Sequence, residues 1–283
     1  MPTVPPRTKG GARLVTLSSD VGAAYAAQMK AVLARSLPPG RFLDLSHELP
    51  VHEIREAAFV VRAMARGFPA GTVHVVVVDP GVGGPRAPLV VATRDGSRLV
   101  GPDNGVLGPL AEALGGGAAH RIDPGRLTAA RPRVGTTFDG RDLFAPAAAL
   151  LAVGTPPARL GPRVAMRDLR LAEAHRTATG ALGEIVHRDH FGNLITNVPS
   201  SWVPRGTDGM RVRLAGRPVR SLPWATSYEA LGRGCPGALA SSFGTVELAV
   251  AQGRADERLR AGVGVRLRLE WRARHSEAVV NSS

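Results

Sequence analysis

The sequence predicts an α/β domain, with a mostly parallel sheet flanked by helices, followed by a smaller antiparallel β-barrel domain. Three observations lead there. In the first half, apolar β-branched runs alternate with amphipathic segments, which is the pattern of strand–helix crossover units. The run Val73-His74-Val75-Val76-Val77-Val78, stopped by Asp79-Pro80-Gly81, is apolar on both of its alternating faces, as in a strand covered on each side. Past residue 180 the pattern changes to apolar–polar alternation, strict in Val265-Arg266-Leu267-Arg268-Leu269-Glu270, which suits half-buried strands. The expected domains are residues 12–165 and 180–272.

Taken in order, Arg13 to Leu17 reads as the first strand, ending in Ser18-Ser19-Asp20-Val21-Gly22. A helix follows, with Ala26, Met29, Val32 and Leu33 on its apolar stripe, and Pro38-Pro39-Gly40 stops it. Arg41 to Leu45 reads as a strand and Glu53 to Arg66 as an amphipathic helix closed by Gly67-Phe68-Pro69. After the valine run come strands at Pro88 to Thr93 and Leu99-Val100, a short helix over Asp103 to Gly115, and an alanine-rich helix from Leu143 to Val153. Residues 154–170, rich in Pro, Gly and Arg, read as a linker. Beyond it, strands at 183–187 and 194–198 flank a polar turn, and further strands fall at 210–214, 245–251 and 263–271.

Composition narrows the function. At 283 residues, with 44% hydrophobic and 21% charged residues, the chain has the make-up of a folded globular protein. No apolar run approaches the ~20 residues of a membrane span, so no membrane partner is expected. The opening MPTVPPRTKGGAR lacks a signal-peptide core, so a cytoplasmic location is expected. Cys235 is the only cysteine, which excludes an intrachain disulfide and multi-cysteine metal sites. The formal charge of +13 raises the question of nucleic acid. Lys9 and Lys30 are the only lysines, the arginines are scattered, and aromatics make up 4% of the chain. Stacking platforms for single strands need more aromatics than that, so no specific nucleic-acid partner is expected.

Polar signatures collect where the predicted strands end, the position at which α/β sheets bind ligands. They are Ser18-Ser19-Asp20-Val21-Gly22, Asp79-Pro80-Gly81-Val82-Gly83 with Arg86, Gly101-Pro102-Asp103-Asn104-Gly105, and Phe138-Asp139-Gly140-Arg141-Asp142. In the second domain come Asp189-His190-Phe191-Gly192-Asn193 and Ser241-Ser242-Phe243-Gly244. This ordered set resembles the S-adenosyl-L-methionine (SAM) hydroxide adenosyltransferase family, the hydrolytic relatives of the fluorinating and chlorinating enzymes. The likeness runs from about Leu14 to Leu269.

The resemblance implies hydrolysis of SAM to adenosine and L-methionine, by attack of water or hydroxide at the ribose C5′. It implies no metal or cofactor, and a homotrimer with sites at subunit interfaces. Asp20 would accept hydrogen bonds from the ribose diol, and Asn104 would lie near the ribose. Phe191 and Asn193 would hold the nucleoside end, while Asp189 and Ser242 would hold the amino-acid end. Asp79 and Arg86 match two of the three groups that surround the attacking water. Each residue also has a local explanation: Asp20 as a helix N-cap, Asp79 with Arg86 as a surface ion pair, and Asp189 to Asn193 as a hairpin turn.

The third group departs from the pattern. Asp139 stands where the family carries a histidine before Gly-Arg-Asp, and it is expected to take that place in the catalytic set. A second carboxylate beside Asp79 alters which group takes the proton. The alternative is a catalytically impaired homologue that binds an adenosyl ligand without turnover. Val21 replaces an aromatic residue after Asp20. His52 stands where halogenating relatives stack an aromatic ring, and it also reads as an exposed helix-start residue.

Overall fold

The computed structural model describes residues 11–127 and 135–273. The chain divides into two compact units, the first ending at Leu171 and the second beginning at Ala172.

The first unit is a seven-stranded sheet covered on both faces. Its strands are β1 (Val15–Ser19), β2 (Phe42–Ser46), β3 (Val73–Val77), β4 (Pro88–Thr93), β5 (Arg98–Pro102), β6 (Gly117–Arg121) and β7 (Arg163–Val164), in the spatial order β2-β1-β3-β5-β4-β6-β7. β2, β1, β3 and β5 are parallel, whereas β4, β6 and β7 pair antiparallel, so the sheet is mixed. Helices α1 (Gly22–Leu33), α2 (Ile54–Ala65), α3 (Gly108–Ala113), α4 (Ala145–Ala152) and α5 (Pro157–Leu160) complete the unit.

The alternation along β3 divides the core. Val73, Val75 and Val77 pack on one face with Met29 and Leu33 of α1 and with α4, every residue of which is buried. Val76 and Val78 pack on the other face with Ala57, Val60 and Val61 of α2 and Leu110 of α3. Burial on both faces explains why β3 carries valines on each face rather than an apolar–polar alternation.

Three sequence expectations change. Residues 154–170, expected as a linker, instead carry α5 and β7, and β7 is an edge strand of the first sheet. The helix expected from Asp103 is shorter, because Asn104 closes a turn first and α3 begins only at Gly108. The alanine-rich helix is preceded by a π-helical turn, Gly140–Phe144. Such widened turns recur at functional sites.

The second unit is an antiparallel barrel. Its strands are β8 (His175–Arg176), β9 (Gly180–Arg188), β10 (Leu194–Pro199), β11 (Thr207–Leu214), β12 (Arg220–Pro223), β13 (Pro236–Ala240), β14 (Thr245–Val250) and β15 (Arg266–Ala273), with helix α6 (Ala255–Leu259). The order is β12-β11-β15-β9-β10-β14-β13, with β8 paired to β9. A bridge between Trp224 and Ala238 nearly closes it, reinforced by Ala225 N donating to Ala238 O at 2.8 Å. Inside lie Ala181, Ile185, Leu194, Val212, Leu248, Leu267 and Leu269, the inward-facing half of the alternating strands.

Candidate active site

Three neighbouring parallel strands deliver three polar side chains to the same sheet edge. β1 pairs with β3 so that Ser19 lies opposite Val77, and Asp20 N donates to Val77 O at 3.3 Å. Asp20 and Asp79 therefore follow adjacent strand ends. On the other side of β3, Asn104 after β5 donates from Nδ2 to Val78 O at 2.8 Å. The chain leaves β1 for β2 on one side and returns to β3 on the other, so the crevice between β1 and β3 is a topological switch point. Ligands of open α/β sheets bind at such points.

Asp79, Arg86 and Asp139 are in direct contact. Arg86 Nε donates to Asp79 Oδ1 at 3.0 Å, and its NH2 nitrogen donates to both Asp79 Oδ2 and Asp139 Oδ2, the latter at 2.5 Å. The side chains are 5%, 11% and 3% exposed for Asp79, Arg86 and Asp139, so this is not a surface pair of the weak kind. Burial works against the charge on Arg86, yet the hydrogen bonds to Asp79 and Asp139 outweigh it and hold the guanidinium further toward its protonated form. Phe144 lies under the guanidinium, 5.8 Å from ring centroid to Cζ. Local backbone sets the geometry. Gly83 has φ +79°, and a Cβ there would meet Thr136 O at 2.9 Å. The glycine thus lets the loop after β3 turn back against the segment leading to Asp139.

Asp20 is not a helix cap. Residue 21 is the N-cap of α1, and Asp20 Oδ2 instead accepts from His52 N at 3.1 Å, leaving Oδ1 without a partner among the described residues. His52 is exposed, with φ +64°. Asn104 is held on both sides of its amide, since Oδ1 also accepts from Val106 N at 3.1 Å. Among the described residues, one amide hydrogen and one lone pair of Asn104 have no partner.

Behind Asp20 runs a relay that the sequence reading did not identify. Ser19 Oγ and His47 Nδ1 are 2.7 Å apart, and His47 Nε2 lies 3.0 Å from Asp44 Oδ1, in ion-pair range although not aligned for a hydrogen bond. Lys30 Nζ donates to Asp44 Oδ2 at 2.7 Å. The backbone joins the same two segments: Gly22 N donates to His47 O and Leu49 N to Ser19 O, each at 3.1 Å. Ser19 is fully buried, so the relay fixes the loop that carries Asp20 and offers no accessible nucleophile. A Ser-His pair separated by 28 positions has no local sequence signal.

In the second unit, Asp189, Phe191, Asn193 and Ser242 line one cavity of about 530 Å³, within the range of small-molecule sites. The hairpin reading of 189–193 holds as well: Gly192 N donates to Asp189 O at 3.1 Å. Asn193 N and Nδ2 donate to the two Asp189 oxygens at 2.8 and 2.9 Å, so the turn orients the carboxylate it presents. Phe191 is 71% exposed, an apolar ring left in the open beside a cavity. Tyr228 and Glu247, not anticipated from the sequence, line the same cavity, with Tyr228 Oη donating to Glu247 Oε1 at 2.6 Å. Burial drives the Glu247 carboxyl upward, opposed by the Tyr228 hydrogen bond and assisted by the charge on Asp189. One signal existed: Glu247 is the lone charge in the apolar strand Thr245–Val250.

Carboxylates and an arginine at a sheet switch point, and a cavity rimmed by polar groups and open aromatic rings, are the equipment of an enzyme acting on a small molecule. Among the described residues no helix is long and apolar enough to cross a membrane, and no cluster of His, Cys, Asp and Glu is arranged to hold a metal. The SAM hydroxide adenosyltransferase N-terminal domain profile matches residues 15–161, and the C-terminal domain profile matches residues 183–268. The chain belongs to the SAM hydroxide adenosyltransferase family. It is 37% identical over 273 residues to the (R)-S-adenosyl-L-methionine hydrolase of Thermus thermophilus, covering 91% of this chain and 99% of that one. It is also 37% identical to the enzyme of that name from Salinispora arenicola, covering 90% and 97% of the two chains. The crystal structure of an uncharacterized conserved protein from Thermotoga maritima superimposes with a TM-score of 0.82 at 32% identity, covering 91% of this chain and all of that one.

Proposed function

We propose that this protein is an S-adenosyl-L-methionine hydrolase, which attacks the ribose C5′ with water or hydroxide and releases adenosine and L-methionine. The observation that carries the reading is the buried Asp79–Arg86–Asp139 contact, at the switch point of a chain that matches named SAM hydrolases over nine-tenths of its length.

The chemistry asks little of a catalyst at the leaving group, because the sulfonium departs as a neutral thioether. The oxygen–C5′ bond forms as the C5′–sulfur bond breaks, and the electron pair goes to sulfur. The water must be aligned with that bond and give up a proton. One carboxylate in contact with Arg86 accepts the proton while the guanidinium balances the other. Asp139 takes that role in place of the family's histidine, and Asp79 with Arg86 orients the water. The scheme draws on no metal or organic cofactor.

Asp20 binds the ribose diol, with Oδ1 open and Oδ2 already oriented by His52. Asn104 holds the ribose from the neighbouring strand. Phe191 and Asn193 hold the nucleoside end, and Asp189 and Ser242 hold the amino-acid end. In this reading the protein works as a cytoplasmic homotrimer, each site combining one subunit's first unit with a neighbour's second. A role in binding without turnover is the weaker reading, since Asp139 occupies the histidine's position with a side chain that itself accepts protons and contacts Arg86. Product analysis decides between them: adenosine and methionine in equal amounts support hydrolysis, and tight binding of unchanged SAM supports the alternative.

A further inference from the structure

Outside the proposed site, the arginines are not distributed evenly. A cavity of about 700 Å³ in the second unit lies between the turn after β11 and the segment from the end of β14 through α6. Five arginines line it, Arg217, Arg220, Arg254, Arg258 and Arg260, against the single carboxylate of Glu257. Their partners divide them into two groups. Arg254 is committed to acids, with its NH2 nitrogen 2.7 Å from Asp256 Oδ2 and Nε 3.2 Å from Glu257 Oε1. Arg217 Nε donates to the Arg260 carbonyl at 2.9 Å, which holds that guanidinium without neutralising it. The side chains of Arg220, Arg258 and Arg260 are exposed and make no ion pair or hydrogen bond with any described residue.

We propose that this cavity is a binding site for a small phosphate-bearing anion, of the diphosphate class. Like charges gathered around one concavity repel one another, and the low-dielectric walls strengthen the field inside. An anion with several oxygens relieves that repulsion, and guanidinium forks match phosphate oxygens in pairs where ammonium groups cannot. The volume is that of a small-molecule site. The lining contains no aromatic side chain, so it lacks the stacking surfaces that hold single-stranded nucleic acid. Val250 and Gly253 line both this cavity and the one holding Asp189 and Phe191, so the anion sits behind one wall of the proposed substrate cavity and not inside it.

The test is calorimetric titration of the full chain with inorganic pyrophosphate at constant ionic strength. The parent is expected to bind saturably at one site per chain. The triple variant Arg220→Gln, Arg258→Gln, Arg260→Asn is expected to bind at least tenfold more weakly. Asparagine is chosen at 260 because the backbone there has φ +51°, a conformation it tolerates. Arg258→Gln alone, a change at an exposed side chain without partners among the described residues, should weaken binding at least threefold and guards against misfolding of the triple variant. Arg66→Gln, at an exposed site in the first unit, should leave the affinity unchanged. Absence of saturable heat, or an equal loss in Arg66→Gln, would overturn the proposal. So would a single-stranded oligonucleotide that displaces pyrophosphate and binds more tightly.

Discussion

Arg86 bonds Asp79 and Asp139 through the same terminal nitrogen, so one guanidinium holds together two carboxylates that lie 60 positions apart in the chain. Replacing it separates charge from geometry. Arg86→Lys keeps the positive charge but cannot reproduce the two-pronged contact with Asp79. In the hydrolysis assay kcat should fall by ~10²-fold or more, the scale of losing a positioned polar group. Arg86→Gln removes the cation that joins two buried carboxylates and should also lower stability by about 3–5 kcal/mol, measurable by urea unfolding. Unchanged kcat in both variants would reduce the contact to a structural role.

Asp139 is the departure from the family pattern, and restoring the histidine tests its role. Asp139→His introduces an imidazole with an ordinary pKa of about 6.5. The kcat profile of the variant should gain an acid limb near that pH, because a protonated imidazole cannot accept the water's proton. Asp139→Asn, which cannot take up the proton, should lose most of the turnover while its affinity for SAM changes little. A parent and Asp139→Asn pair with equal kcat would show that the proton goes elsewhere.

Binding should respond at Asp20. Charge-assisted hydrogen bonds contribute about 1.5–3 kcal/mol each, so Asp20→Ala should raise KM roughly 10- to 100-fold. His47→Ala, which cuts the link between Ser19 and Asp44, acts on the same loop from behind and should raise KM by a smaller factor with kcat nearly kept. An effect of His47→Ala on kcat alone would contradict a positioning role.

Stability should depend on pH through His74. Burial lowers its pKa to about 4, against a weaker opposing effect of the Asp95 charge, and its Nδ1 lies 2.8 Å from Thr16 Oγ1. The unfolded chain, with an ordinary histidine near 6.5, binds more protons between those values. Stability from this group is therefore complete above about pH 6.5 and is lost as pH falls toward 4, by about 3 kcal/mol at most. His74→Gln should flatten that part of the unfolding profile.

Much of the fold could be read from pattern because burial writes pattern. The valines of β3 face helices on both sides, and β15 alternates because one face meets the barrel interior. The antiparallel half of the first sheet left fainter traces. β6 consists of Gly117, two alanines, His120 and Arg121, with no apolar alternation, and its place is set by pairing with β4. β7 is two residues long inside a segment whose proline, glycine and arginine content resembles a linker. At the candidate site, residues next to strand ends were found because chain direction puts them there. Tyr228, Glu247 and the contact of His47 with Ser19 were missed because their importance comes from contacts between distant segments, which no local spacing encodes.

Hydrolysis of SAM by this chain is tested by incubating the purified protein with SAM in ¹⁸O-water across pH 6 to 10. Equal amounts of L-methionine and adenosine are expected, with the label in the 5′-oxygen of adenosine. Folded protein that yields no adenosine above the protein-free control at any of these pH values would contradict it.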